Sequence, residues 1–251
     1  MLAGVIIGRI RHLHRRRTDR MGPRRFLITG GSQGIGAAVV AMARQAGHQV
    51  VFTGRHDDTI EQVAGATGAF GLRADSAIDD ENEKTVEICQ TQMGGIDVLV
   101  NNAASWYDAA IGELDVDAMR RLFDSNVFGM VDLTNRVVPL LKMQAGGDIV
   151  NIASTSGAKG RKLGTAYAAS KWAVRGISQC WQAELRPHSI RVISICPSEV
   201  QTRWGGRVGR NNPNKLYATD IAQTIMAALN MPQRAMWPEL SVFATNPWKE
   251  D

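Results

Sequence analysis

From residue 24 onward, hydrophobic residues come in short runs separated by amphipathic stretches of helical length. The runs are RFLITG (25–30), HQVVFTG (48–54), AFGLRAD (69–75), IDVLVNN (96–102), GDIVNIAS (147–154), IRVISICP (190–197) and ELSVFA (239–244). Most are nearly continuous in Val, Ile and Leu, which predicts strands buried on both faces. Between them, 35–46, 57–66, 79–93, 117–144, 165–186 and 219–230 suit helices. Such alternation implies βαβ units and a parallel sheet. Right-handed crossovers then give a single α/β domain over 23–251. It is a Rossmann-type, doubly wound parallel sheet of about seven strands with helices on both faces. Internal repeats and linkers are not evident. The stretch 203–216 (RWGGRVGRNNPNKL) reads either as a mobile loop beside a ligand crevice or as an ordinary surface connection.

Composition narrows the class. A chain of 251 residues with 44% hydrophobic and 21% charged residues is ordinary for one globular domain. The longest apolar runs fall short of a membrane span, so no membrane partner is expected. The formal charge is +5, yet residues 1–25 hold eight arginines against one acid, Asp19. The basicity therefore belongs to residues 1–22, and the folded body is slightly acidic; a nucleic-acid partner is not expected. That extension reads as a disordered and dispensable tail, as a targeting segment, or as sequence ahead of a true start at Met21. Cys89, Cys180 and Cys196 lack CxxC spacing, which suits reduced thiols and a cytoplasmic setting. The five histidines show no metal-ligand spacing, so no metal site is expected.

Two regions carry chemistry. The first strand runs into Thr29-Gly30-Gly31-Ser32-Gln33-Gly34-Ile35-Gly36 and then a helix. Glycines there admit positive φ and let backbone N–H groups approach a pyrophosphate, while the helix start adds partial positive charge. The second strand ends in Gly54-Arg55. An acid at this place takes the ribose 2′-hydroxyl of NAD; a guanidinium instead matches the 2′-phosphate of NADP(H), with Ser32 as a further donor. Asp75 can accept from the adenine amino group or cap the helix that follows.

Tyr167 and Lys171 stand four apart on one predicted helix and so share a face. Ser154 ends the fifth strand, at the sheet edge where open α/β folds bind ligands. Hydride exchange with a nicotinamide requires a proton donor and a polarised carbonyl. An ammonium at Lys171 would lower the phenol's pKa, Tyr167 would pass the proton, and Ser154 would hold the substrate oxygen.

Together these residues resemble the short-chain dehydrogenase/reductase family from Arg25 to about Ala244. Thr29 to Gly36 resembles its TGxxxGxG, and Asn101-Asn102-Ala103-Ala104 its NNAG, with Ala104 replacing glycine. The resemblance places Asn102, Ala103 and Ala104 against the cofactor. It makes Asn126 the fourth catalytic member beside Ser154, Tyr167 and Lys171, holding a water of the proton relay. Pro197 to Thr202 resembles PGxVxT, with Ser198 for the glycine. The resemblance then implies cofactor contacts from Pro197, Val200, Thr202 and Ile152, and a Lys171 hold on the nicotinamide ribose. It also implies a homodimer or homotetramer through helices 117–144 and 165–186, where Trp172, Trp181 and Ala168, Ala169 and Ala173 suit close packing.

The expected activity is NADP(H)-linked reduction of a ketone or aldehyde, or oxidation of the alcohol. An NAD-linked alcohol dehydrogenase and a non-catalytic nucleotide sensor are the competing readings. Ser105, Trp106, Tyr107, Leu163 and Glu199 join 203–216 as the expected substrate wall, whose aromatic members suit an apolar or bulky ketone.

Overall fold

A computed structural model describes residues 22–202 and 212–248. The basic N-terminal extension and most of the 203–216 stretch lie outside the described residues. The chain runs β1 (Arg25–Ile28), α1 (Gly34–Gln45), β2 (Gln49–Gly54), α2 (Asp57–Thr67), β3 (Phe70–Arg73), α3 (Asp79–Met93) and β4 (Val98–Asn101). It continues through α4 (Val116–Phe123), a π-turn (Asp124–Phe128), α5 (Gly129–Met143), β5 (Gly147–Ile152) and α6 (Thr165–Leu185). It ends with β6 (Ile190–Pro197), β7 (Val200–Gln201), β8 (Leu216–Tyr217), α7 (Ala218–Leu229) and β9 (Glu239–Val242). Seven strands form one parallel sheet in the order β3-β2-β1-β4-β5-β6-β9. The order reverses between β1 and β4, and a crevice opens there beyond the carboxyl ends of the strands.

Alternation along each strand divides the core. Phe26 and Ile28 of β1, Val98 and Val100 of β4, and Ile193 and Ile195 of β6 face α1 and α7, where Val39, Val40, Ile221 and Ile225 complete one layer. Leu27, Leu99 and Val192 face the other way, onto Val86 and Cys89 of α3 and Leu133 and Val137 of α5. Both faces are covered, which is why the strands read as continuous apolar runs.

The structure departs from the sequence expectation in three places. Strands β1, β3, β5 and β9 stop two residues before their apolar runs do, although single backbone bonds such as Thr29 N to the Val100 carbonyl and Ala153 N to the Ile195 carbonyl continue past their ends. The expected helix 117–144 is interrupted by the π-turn at Asp124–Phe128. Gly129, at the exit of that turn, lies so near the Ser76 carbonyl that a Cβ would sit 1.8 Å from its oxygen. The helix thus passes the β3–α3 connection at a distance only glycine permits. Finally, the two-residue strands β7 and β8 pair with each other outside the main sheet.

At the amino ends of the strands, Asp148 of β5 is fully buried between two arginines. Arg191 meets it twice, Nε to Oδ1 at 2.5 Å and Nη2 to Oδ2 at 3.0 Å, and Arg24 Nη2 reaches the same Oδ2. Arg191 also donates to the carbonyls of Leu229, Met231 and Ala235, so it ties the end of α7 to the sheet. Removing one partner of a buried ionic cluster strands the others without compensation. Asp148→Ala should lower unfolding free energy by about 3–5 kcal/mol in urea titration. A loss below 1 kcal/mol would show that the two guanidinia find other partners.

Candidate active site

The turn after β1 is fixed by its neighbour across the switch point. Thr29 Oγ1 accepts from the backbone N–H groups of Asn102 and Ala103, both at 3.0 Å. Asn102 Nδ2 donates back to the carbonyls of Thr29 (2.9 Å) and Gly30 (3.0 Å). Gly30 and Gly34 have φ of 62° and 54°, as the turn requires. At Gly36 a Cβ would lie 2.2 Å from the Gly30 oxygen, so helix and turn meet at a glycine-only separation. No side chain caps α1 at Gln33, which leaves its first-turn N–H groups for a ligand. Among the residues named from sequence, Ala103 lies against Gly30 and Thr202 against Gly34. Ile35 and Val200 pack partly buried on the core, and Pro197 ends β6. Ala104 is half-buried beside Ala103. Ser198, the glycine replacement, avoids positive φ, and its N–H donates to the Val242 carbonyl at 2.8 Å.

At the end of β2, Gly54 makes room for Ser32: a Cβ there would sit 2.6 Å from Ser32 Oγ. Arg55 is more than half exposed and stands 3.9 Å from Asp75 Oδ2. Asp75 uses its other oxygen to accept from Ala77 N at 3.0 Å. It therefore shapes its own turn, while the cap position of α3 falls on Ile78.

The chemical group forms where β5 meets α6. Ser154 Oγ accepts from Ser156 N at 3.1 Å, and its hydroxyl is hydrogen-bonded to the Tyr167 phenol. Lys171, one turn on, is buried and donates to the Ile152 carbonyl at 2.8 Å, with its Nζ 5.8 Å from the phenol ring centre. A small cavity of ≈ 10 Å³ adjoins Lys171, lined also by Thr29, Asn101, Ser125, Asn126 and Ile152. Asn126, in the π-turn, binds Ser105 on both sides of the peptide: Oδ1 accepts from its N–H (2.6 Å), and Nδ2 donates to its carbonyl (3.1 Å). Nδ2 also donates to Ser170 Oγ at 3.0 Å, and Ser170 in turn donates to the Tyr167 carbonyl. The Asn126 side chain thus joins the loop after β4 to the helix that carries Tyr167 and Lys171.

The Tyr167 phenol and the Lys171 ammonium both titrate away from their ordinary values. Burial dominates and pushes Tyr167 up to about 12; the Ser154 hydrogen bond and the Arg161 charge oppose it, and Asp108 adds to the rise. Lys171 is itself pushed down to about 8 by burial. The phenol therefore holds its proton at neutral pH.

Of the expected substrate wall, Trp106 packs on Tyr167 with ring centres 4.4 Å apart. The Tyr107 hydroxyl accepts from Asp115 N at 2.9 Å, where α4 begins. Glu199 pairs with Lys215 at 2.8 Å. Leu163 is held at φ 63°. Sequence reasoning missed Arg161 and Asp108. Arg161 lies 4.3 Å over the Trp106 ring and bonds Asp108 at 2.5 Å, and no spacing along the chain announces that pairing.

The glycine-only contacts, the uncapped helix start and the buried hydroxyl pair fit a dinucleotide with its nicotinamide near Tyr167. The comparisons with known proteins agree. A family model for short chain dehydrogenases matches residues 24–213, and this chain belongs to that family. A relative is an uncharacterised oxidoreductase of Staphylococcus saprophyticus, 35% identical over 222 residues, spanning 86% of this chain and 95% of the relative. Among solved structures, a short-chain dehydrogenase from Streptomyces avermitilis superposes with TM-score 0.80 at 25% identity, covering 88% of this chain and 89% of that one. A closed serine dehydrogenase complexed with NADP+ gives 0.82 at 25% identity, covering 86% and 93%. The chain is thus an oxidoreductase of a family that uses a nicotinamide cofactor. Among the described residues, no helix is long and apolar enough to cross a membrane, and no cluster of three metal-ligating side chains occurs.

The lowered Lys171 value has a measurable consequence. Between about 8 and the ordinary 10.5, the unfolded chain binds a proton there that the folded one has shed, so this group makes stability rise with pH across that window. Urea titrations of the cofactor-free protein and Lys171→Met should show the wild type gaining on the variant from pH 8 to 10. A constant difference would mean that Lys171 keeps its ordinary value in the fold.

Proposed function

We propose that this protein is an NADP(H)-dependent carbonyl reductase that converts a ketone or aldehyde to the alcohol, with Tyr167 as general acid. The observation that carries the reading is the buried Ser154–Tyr167–Lys171 group at the mouth of the glycine turn. Tyr167 is 5% exposed, hydrogen-bonded to Ser154, and set one helical turn from a buried Lys171, beside the Thr29–Gly36 cradle. When bound, the nicotinamide supplies hydride to the carbonyl carbon. Tyr167 delivers the proton to the carbonyl oxygen, and Ser154 donates a hydrogen bond to the same oxygen as charge develops on it. Lys171, anchored on Ile152, would take the nicotinamide ribose hydroxyls, and its ammonium would stabilise the phenolate left behind. Asn126 positions α6 and the loop at Ser105, and the polar cavity beside it would hold the relay water. Gly30, Ser32, Gln33, Gly34, Ile35 and Gly36 would hold the pyrophosphate end. Asn102, Ala103, Ala104, Pro197, Val200 and Thr202 would flank the rest, with Asp75 toward the adenine.

Support for NADP(H) over NAD(H) comes from the end of β2. A Cβ at residue 54 would fall 2.6 Å from Ser32 Oγ and 2.9 Å from Ile60 Cγ1, so the carboxylate of an NAD-type site would require both side chains to shift. Arg55 lies next to that position with an exposed guanidinium suited to a 2′-phosphate. The NADP+ complex of the similar serine dehydrogenase points the same way. We place the enzyme in the cytoplasm, as a homodimer or homotetramer through α5 and α6, where Trp172 is half exposed.

Two substitutions test this reading. Tyr167→Phe should reduce turnover by about a hundredfold or more while leaving NADPH binding within a factor of about three. Near-normal turnover would remove Tyr167 as the proton donor. Arg55→Asp should move the ratio of kcat/KM for NADPH over NADH by about tenfold or more toward NADH. An unchanged ratio would mean that another group reads the phosphate, or that NAD(H) is the true cofactor.

A further inference from the structure

The wall that the sequence offers to a bulky ketone is folded over the phenol. Ser154 and Tyr167 are both nearly closed off, at 9% and 5% exposure. The Trp106 indole covers Tyr167, tilted 37° to its ring at 4.4 Å. Three independent contacts keep it there. Ser105, the residue before it, is gripped on both sides by Asn126. Ala109, three residues after it, donates to the Leu163 carbonyl at 3.0 Å and forms a bridge with Gly164. Arg161 lays its guanidinium 4.3 Å from the indole centre.

Arg161 is itself fixed. Its Nη2 bonds Asp108 Oδ1 at 2.5 Å, and the Asp108 side chain is only 14% exposed. Its aliphatic stem runs so close to Gly164 that a Cβ there would fall 2.7 Å from Cγ. Leu163, between them, is held in the left-handed region, a conformation disfavoured for a leucine and maintained by the same contacts. Asp108 neutralises the guanidinium, so the pair offers no unmatched charge to a substrate carboxylate. What it supplies is a rigid aromatic lid: a cation on an indole face is attractive, and more so when partly desolvated.

We infer that Arg161, held by Asp108, clamps Trp106 over Tyr167 and so restricts the enzyme to small, uncharged, unhindered carbonyl compounds. The inference rests on the carbonyl-reductase reading and names the substrate class of that same site. A short aliphatic aldehyde needs only the carbonyl oxygen to reach the hydroxyls of Ser154 and Tyr167. A diaryl ketone must displace an indole pinned from both ends of its loop. Arg161 is a positioning residue, acting through Trp106 and not by touching the reacting atoms.

The test pairs two measurements. NADPH-dependent kcat/KM is measured for propanal and for benzophenone in the wild type, Arg161→Gln, Asp108→Asn and Trp106→Ala. The wild type should favour propanal, and each variant should shift the ratio toward benzophenone by about tenfold or more. A general loss of folding would lower both substrates together and leave the ratio alone. Equal efficiency on the two substrates in the wild type, or a ratio unmoved by both R161Q and D108N, overturns the clamp. In parallel, the protein is labelled with 5-fluorotryptophan, and the residue-106 fluorine resonance is assigned with Trp106→Phe. That resonance should shift or broaden in both R161Q and D108N. If the wild type reduces no carbonyl at all, the reductase reading falls, and the resonance still decides the clamp: one unmoved in both variants overturns it.

Discussion

The hydrogen bonds between Thr29 and Asn102 join the two halves of the site. A parallel sheet ends with its carboxyl-terminal carbonyls and the following N–H groups unpaired, and at the switch point no further strand can satisfy them. Here Thr29 Oγ1 accepts two backbone N–H groups from the end of β4, and Asn102 Nδ2 returns two bonds to the end of β1. The glycine turn, the start of α1 and the loop toward Trp106 all diverge from that point. Each position is inherited from four hydrogen bonds made by two side chains. All four are short-range and directional, so they fix the end of β1 against the end of β4.

Much of this was legible in the residue order, and the reasons differ from element to element. The strands announced themselves because both faces are buried, so Phe26, Leu27 and Ile28 are all apolar although they point to different core layers. Tyr167 and Lys171 were legible because a helix converts a spacing of four into one face. Ser154 was legible because strand ends in this architecture converge. The π-turn was not, since it answers to Ser76 and Ser105, residues far from Asn126 in sequence. The β7–β8 pair was hidden by its length; two residues carry no period. Arg161 was invisible for a similar reason. Its meaning comes from Trp106 and Asp108, more than fifty residues earlier, and an isolated arginine in a Lys/Gly-rich turn looks like any solvated one.

The protonation chemistry illustrates where local rules stop. From residue types alone, an ammonium four residues from a phenol should acidify it. The fold buries both groups, and burial acts oppositely on an acid that becomes charged and a base that loses charge. The Tyr167 value rises and the Lys171 value falls, each for lack of solvent. The spacing of four identifies the pair but does not give the sign of either shift.

The Ser32–Gly54 contact makes the two positions depend on each other. A Cβ at residue 54 would meet Ser32 Oγ at 2.6 Å, Ser32 Cβ at 2.8 Å and Ile60 Cγ1 at 2.9 Å. Installing an acid there obliges the Ser32 hydroxymethyl group and the Ile60 side chain to shift. Residues 32 and 54 therefore form one steric unit, and redesign of this corner is better planned as a paired exchange than as a single one.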